Sequence, residues 1–261
     1  MSTDTSFFTN EPGFSLKERF SKLVKGTELF DCLVGYFYSS GFYAVYPSLE
    51  DTDRIRILIG ISTGSDTFKM IEQGNTPTQQ DLRFSHAETK KTVEGLVQHE
   101  MELSEDTRYV EEGVHKFIEW IRSGKLVIKA YPSQNIHAKL YIMTFKEDAI
   151  DKGRVITGSS NFTKSGLEDN LEFNVELKNP GDYEFAQNKF NELWKDAVDV
   201  SDKYVETIEQ KTWFSDSVTP YHLYLKLLYE YFKAELNETG EVFLEHLPEG
   251  FLRLKYQEQA V

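Results

Sequence analysis

Apolar runs of strand length alternate along this chain with stretches whose apolar residues recur every three to four positions, and that order predicts a layered α/β domain. Residues 1–12 read as a loose start and Phe14 to Leu23 as a short helix. A strand is expected over Leu29-Phe30-Asp31-Cys32-Leu33-Val34-Gly35-Tyr36-Phe37-Tyr38, closed by Ser39-Ser40-Gly41. A short helix over about Phe42 to Leu49 leads to Ile55-Arg56-Ile57-Leu58-Ile59-Gly60, which is nearly all apolar, as a central strand covered on both faces must be. Residues 64–80 are loop-rich, and residues 86–101 and 107–122 read as helices. The second of these carries Val110, Val114, Phe117, Ile118 and Ile121 on one face, with Gly124 at its end.

Strands are then expected at Leu126–Tyr131, Ile136–Phe145, Arg154–Thr157 and Leu171–Leu177. A helix from about Asp182 to Val198 follows, with Phe185, Phe190, Leu193 and Trp194 on its apolar face. This element order favours an α/β sandwich with a mixed central sheet flanked by helices. After Val198 the texture turns polar and acidic, so the boundary is set there: 1–198 as the main domain and 199–261 as an acidic helical extension. Within the extension, Thr219-Pro220 is a good start for a helix running to about Leu236, broken by Asn237-Glu238-Thr239-Gly240.

Composition narrows the function classes. The net charge of -14 argues against a generic nucleic-acid coat, because phosphate binding is mainly electrostatic. The charge is uneven, however. Between Arg122 and Lys164 eight cations face three anions, a local +5, whereas Asp199 to Val261 carries six cations and twelve anions, a local -6. No run is long enough to cross a bilayer, and the acidic N-terminus lacks the basic region of a secretory signal. One cysteine, Cys32, permits neither an internal disulfide nor a cysteine-based zinc site, so a cytoplasmic location without a membrane partner is expected.

The chemistry concentrates in three short segments. Ile136-His137-Ala138-Lys139-Leu140 sets a nucleophile and a cation two residues apart, so both leave one face of an extended chain while Ile136, Ala138 and Leu140 fill the other. Gly158-Ser159-Ser160-Asn161 and then Glu172, ahead of Phe173-Asn174-Val175-Glu176-Leu177, complete the set. A nucleophile beside a cation suits attack on a negatively charged phosphorus. The other histidines, His86, His99, His115, His222 and His246, have no such context and read as surface or core residues. Tyr36, Tyr38 and Tyr43 are able to stack bases but read first as core aromatics. Gly60-Ile61-Ser62-Thr63-Gly64-Ser65 looks like a phosphate loop but lacks the following Gly-Lys-Ser/Thr, and reads as a turn.

His-x-Lys, then Gly-Ser-x-Asn after a strand, then Glu, resembles the phospholipase D superfamily, in particular its single-motif nuclease branch. The likeness runs from about Leu29 to Val198, and Thr157-Gly158-Ser159-Ser160-Asn161-Phe162-Thr163 is its most specific stretch. The resemblance implies a phospholipase D-like layered sandwich and a phosphodiesterase that needs no metal or other cofactor. It implies His137 as a nucleophile forming a phosphohistidine, and Lys139 and Asn161 as holders of the non-bridging phosphate oxygens. Gly158, Ser159 and Ser160 would bind the substrate, Gly158 by letting backbone pass close to the phosphate and Ser159 as a supporting hydroxyl. Glu172 would fix the His137 tautomer; Glu176, on the same strand face, is the alternative. The pattern departs from the family at Thr144, where the full motif has Asp five positions after the lysine.

The motif occurs once, and the resemblance implies a second histidine to protonate the leaving oxygen. A homodimer sharing one site is therefore expected, with the two His137 copies titrating as a coupled pair. The stretch Leu247 to Val261, with Tyr256-Gln257-Glu258-Gln259-Ala260-Val261, resembles the approach to a superfamily-two helicase core, so a helicase partner domain is also expected. The leading expectation is an endonuclease acting on DNA, with RNA left open. The alternative is a DNA-binding or targeting module that does not cut.

Overall fold

The computed structural model describes residues 6–11, 13, 15–35, 37–60, 85–104, 107–132, 136–215, 221–229 and 231–232. Its elements in chain order are β1 (Phe7–Thr9), α1 (Leu16–Leu23), β2 (Thr27–Val34), α2 (Ser39–Val45), β3 (Arg54–Gly60), α3 (His86–Leu103), α4 (Arg108–Arg122), β4 (Leu126–Tyr131), β5 (Lys139–Phe145), β6 (Gly153–Gly158), β7 (Phe173–Leu177), α5 (Pro180–Lys195), β8 (Val198–Asp199) and α6 (Ser201–Lys211). Side-chain caps start several helices. Ser15 and Glu18 form a capping box on α1, Ser85 and Glu88 another on α3, and Thr107 caps α4. Asn179 caps α5, with Pro180 at its first position.

The eight strands form one mixed sheet in the order β1-β7-β6-β5-β2-β3-β4-β8. β2, β3 and β4 run parallel, and every other pairing is antiparallel. Alternation sorts each strand between two cores. Phe30, Cys32 and Val34 of β2 and Ile55, Ile57 and Ile59 of β3 face the larger core, which packs against α1, α2, α3, α4 and α6. Leu33 and Leu58 face the opposite side, where Tyr183, Ala186 and Phe190 of α5 cover them. This two-sided cover is why β2 and β3 read as continuous apolar runs. Cys32 is buried in the larger core, and burial with Asp31 beside it pushes its thiol well above its ordinary value.

An ionic anchor fastens α5 to the central strands. Buried Asp31 accepts Arg56 Nε and Nη2 at 2.6 Å each, and Gln187 Nε2 of α5 at 2.9 Å. The Arg56 guanidinium lies 4.9 Å from the Phe190 ring centroid and 5.4 Å from that of Trp194, also on α5.

Four expectations need correction. The N-terminal residues include β1, which pairs with β7 and buries Phe8; three residues are too few to show a period. β2 stops at Val34, four residues early, because Gly35 N–H turns to the Ala138 carbonyl at 3.0 Å and Tyr38 N–H to the Phe162 carbonyl at 3.1 Å. Phe185 is 73% exposed rather than part of the apolar face of α5. The polar stretch after Val198 does not leave the domain: β8 pairs with β4, and α6 packs Tyr204, Val205 and Ile208 into the larger core. The first compact unit accordingly extends to Ser215.

The second unit spans Asp216–Val261, and its described residues, 221–229 and 231–232, are helical. They expose Leu223, Tyr224, Leu227 and Tyr231. Thr219-Pro220, the Leu236 end of that helix, the helicase-like stretch, Tyr36 and residues 61–65 lie outside the described residues. No helix among the described residues is long and apolar enough to cross a membrane.

Candidate active site

The three motif segments meet where strands end. Val34, the last residue of β2, pairs with Lys139, the first of β5, and Gly158, the last of β6, pairs with Asn174 near the start of β7. That edge is also the carboxyl end of the parallel strands β2, β3 and β4, where open α/β sheets form their crevices. Thr157 Oγ1 ties the strands together by donating to the Lys139 carbonyl at 2.8 Å.

His137 lies just before β5, in the non-regular residues 136–138, and is exposed. The expected alternation survives there: Ile136, Ala138 and Leu140 pack against the core under α5. Lys139 is 9% exposed, and its Nζ lies 3.0 Å from His137 Nδ1, 3.2 Å from Nε2 and 3.4 Å from the His137 carbonyl oxygen. Burial lowers the pKa of the Lys139 ammonium, and the nearby Glu172 carboxylate opposes that shift. A partly desolvated cation held against an imidazole is suited to meeting an incoming anion.

Gly35 decides where the ring lies. A Cβ there would sit 3.2 Å from His137 Cδ2 and 3.6 Å from its Cα, so the missing side chain lets the imidazole rest against the end of β2. Sequence reasoning gave Gly35 no role of its own. The available signal was a glycine at the end of an otherwise apolar strand.

The second segment is locked to the third. Ser159 Oγ donates to Glu172 Oε2, Ser159 N–H donates to the Phe173 carbonyl at 3.0 Å, and Phe173 N–H donates back to Ser159 Oγ at 3.0 Å. At Gly158 a Cβ would fall 2.2 Å from the Phe173 carbonyl, so only glycine admits this close pairing. Gly158 and Ser159 are exposed, and Asn161 and Glu172 are half-buried. Ser160 differs: it is fully buried, its hydroxyl accepts from Asn174 Nδ2 at 2.9 Å, and its carbonyl accepts from Tyr141 OH at 2.7 Å. It supports the loop from beneath. The Asn161 carbonyl accepts from Thr163 N–H at 2.9 Å, which turns the chain after the motif.

Glu176 is engaged elsewhere. It is 3% exposed and accepts Arg19 Nε at 2.6 Å, with Arg154 Nε at 3.4 Å on its other oxygen. Among the two candidate carboxylates, Glu172 is therefore the one at the motif loop. Several cations of the local +5 are already engaged. Lys152 pairs with Glu184 at 2.9 Å, Lys125 donates to the Glu50 carbonyl at 2.6 Å, and Lys129 donates to the Trp194 carbonyl at 3.2 Å. Among the described residues, no group of three or more His, Cys, Asp or Glu side chains is placed to hold a metal ion.

Residues 54–194, more than half of the chain, match the family described as "Cardiolipin synthase, PLD-like domain". The chain belongs to the phospholipase D superfamily. Among solved structures it is similar to Nuc, a phospholipase D family member from Salmonella typhimurium, at 16% identity over 74% of this chain and 95% of that one, with a TM-score of 0.39. It is also similar to NucT from Helicobacter pylori at 10% identity over 74% of this chain and 97% of that one, TM-score 0.40. Phosphatidylserine synthase from Haemophilus influenzae Rd KW20 matches at 16% identity over 87% of this chain and 45% of that one, TM-score 0.45. No curated protein sequence matches the chain.

Membership of the phospholipase D superfamily gives the Thr144 departure a physical reading. Thr144 lies five positions after Lys139, an odd step, and so on the opposite face of β5. Its Oγ1 lies 2.9 Å from Tyr183 OH and 3.3 Å from Gln187 Oε1, both on α5. The substitution changes the seat of α5 and leaves the Lys139 face alone.

Proposed function

We propose that the chain is a metal-independent phosphodiesterase that cuts DNA through a covalent phosphohistidine at His137. The observation that carries this reading is the junction of His137, Lys139, Ser159 and Glu172 at one sheet edge, with Lys139 Nζ 3.0 Å from His137 Nδ1. A neutral His137 nitrogen attacks phosphorus and forms a P–N bond, and the P–O bond to one strand end breaks. Lys139 and Asn161 neutralise and orient the non-bridging oxygens as charge builds. Glu172 accepts from the far ring nitrogen and keeps the attacking one unprotonated. Water then attacks phosphorus and releases His137.

The departing oxygen needs a proton, and the proposal assigns it to the partner subunit's His137 across a twofold axis. An apolar surface beside the site supports pairing. A cavity of about 480 Å³ lined by Ile136, Ala138, Leu140, Leu177 and Phe185 opens next to His137. Leu171 and Phe173, flanking Glu172, are 68% and 66% exposed. Exposed apolar groups of this size beside a half-site fit burial against a second copy.

The test is cleavage of single- and double-stranded DNA in the presence of a chelator, comparing wild type with His137→Ala. Cleavage by wild type, lost in the variant while DNA binding persists, is expected. Binding without cleavage by the wild type would instead favour the targeting module.

A further inference from the structure

A second cavity, of about 440 Å³, lies between α2, α3, α4 and the turn that follows Asn161. Its walls include Tyr38, Tyr109, Glu100 and Lys164, and its volume falls in the range of small-ligand sites. It is stitched to the motif loop. Tyr38 N–H donates to the Phe162 carbonyl at 3.1 Å, and Lys164 N–H lies 3.5 Å from Ser40 Oγ. Lys164 follows Asn161 by three residues, so their Cα atoms are within about 11 Å. One to three nucleotides, stacked at about 3.4 Å each, cover that reach.

The lining chemistry is specific. Tyr38 and Tyr109 stand at 36% and 47% exposure, and the Tyr109 hydroxyl is anchored by donating to the Tyr43 carbonyl. Tyr43 OH donates to Ser39 Oγ at 2.6 Å, Ser39 Oγ donates to Glu100 Oε1 at 2.5 Å, and Ser40 N–H donates to the same oxygen at 3.1 Å. This directed chain fixes a carboxyl inside the cavity. Burial pushes Glu100 up to about 7 in spite of those donors. A half-buried carboxyl beside two partly exposed aromatic rings suits a planar ligand with an N–H edge.

We propose that this cavity seats one base of a single-stranded nucleic acid, close to the scissile phosphate. Tyr38 and Tyr109 stack on the base, Glu100 accepts from its exocyclic amine, and Lys164 lies beside its phosphate. The inference rests on the nucleic-acid substrate proposed above and adds where the strand is read.

The test scans an abasic site through a short labelled oligonucleotide, in deoxy and ribo forms, and measures binding to the full chain carrying His137→Ala. One abasic position is expected to weaken binding about tenfold. In the same background, Tyr109→Phe keeps that sensitivity, whereas Tyr109→Ala binds the intact strand about tenfold more weakly and no longer distinguishes the abasic one. At the sensitive position, removing the amine from adenine weakens binding only while Glu100 is present, with Glu100→Ala as the comparison. Coupling with either strand form supports the proposal and identifies the strand. Binding with additive losses, or with no sensitive position, while the wild type cuts the strand overturns the base site alone; a strand that the His137→Ala chain does not bind and the wild type does not cut overturns the nucleic-acid reading with it. Thermal melting confirms that the variants are folded.

Discussion

The ammonium nitrogen of Lys139 lies 3.0 Å from Nδ1 of His137, two residues earlier in the chain. The contact pairs a cation that has lost much of its water with a ring that stays exposed. Lys139→Met is therefore expected to lower kcat/KM by about 10²–10³-fold while leaving thermal stability unchanged or slightly raised. Steady-state kinetics and a melting curve check both halves. Because burial lowers the Lys139 pKa, its ammonium gives up its proton below the ordinary lysine range, and activity falls correspondingly early on the alkaline side.

Gly35 gives a finer test of placement. A methyl group there would approach His137 Cδ2 at 3.2 Å and displace the ring. Gly35→Ala is expected to reduce kcat about 10–100-fold, with little change in melting temperature. An unchanged kcat would mean that the ring position seen here is not the reacting one.

Glu172 and Glu176 separate chemistry from stability. Glu176 holds Arg19 and Arg154 while almost fully buried, so Glu176→Gln takes the carboxylate partner from the Arg19 guanidinium and leaves Arg154 with Asp151. It is expected to cost about 3 kcal/mol of folding free energy, read by urea unfolding. Glu172→Gln is expected to leave stability nearly unchanged and to lower kcat about 10²-fold.

Much of this was legible because period and chemistry coincided. Leu126–Tyr131 appears in the structure with the expected bounds, and Val110, Val114, Phe117, Ile118 and Ile121 are all buried on one face of α4. His137 and Lys139 were readable as neighbours because a two-residue step in extended chain fixes their side. The failures are equally physical. Phe185 is apolar yet exposed, so polarity alone placed it on the wrong side of α5. Residues 199–261 read as an acidic helical extension outside the main domain, but Tyr204, Val205 and Ile208 suffice to bury one face of the polar helix α6 in the larger core. Gly35 and the Ser39–Glu100 contact join residues through tertiary approach, which no local pattern encodes.

Glu100 should leave a mark on pH-dependent stability. Its folded pKa of about 7 lies above the ordinary carboxylate value of 4.5, so between those values the folded chain holds the proton more tightly than the unfolded chain. Its contribution is full below pH 4.5 and is lost as pH rises through about 7. Relative to Glu100→Gln, the wild type is expected to lose up to about 3 kcal/mol between pH 5 and pH 8. Urea unfolding of both proteins at the two pH values measures the difference.

The exposed face beside the site should control assembly. Phe185→Asp places a charge on the rim of the apolar cavity next to His137. Sedimentation is expected to show a dimer for the wild type and a monomer for the variant, with cleavage lost in step. A wild type that is a strict monomer with full nuclease activity would contradict the shared site.

The most direct measurement is acid-free trapping of the enzyme with a labelled DNA substrate in excess chelator, followed by peptide mapping of any covalent adduct. A phosphoramidate adduct on His137, absent in His137→Ala, is the expected result. Cleavage that proceeds with no adduct on His137, or only after a divalent metal is restored, would contradict the histidine-nucleophile mechanism.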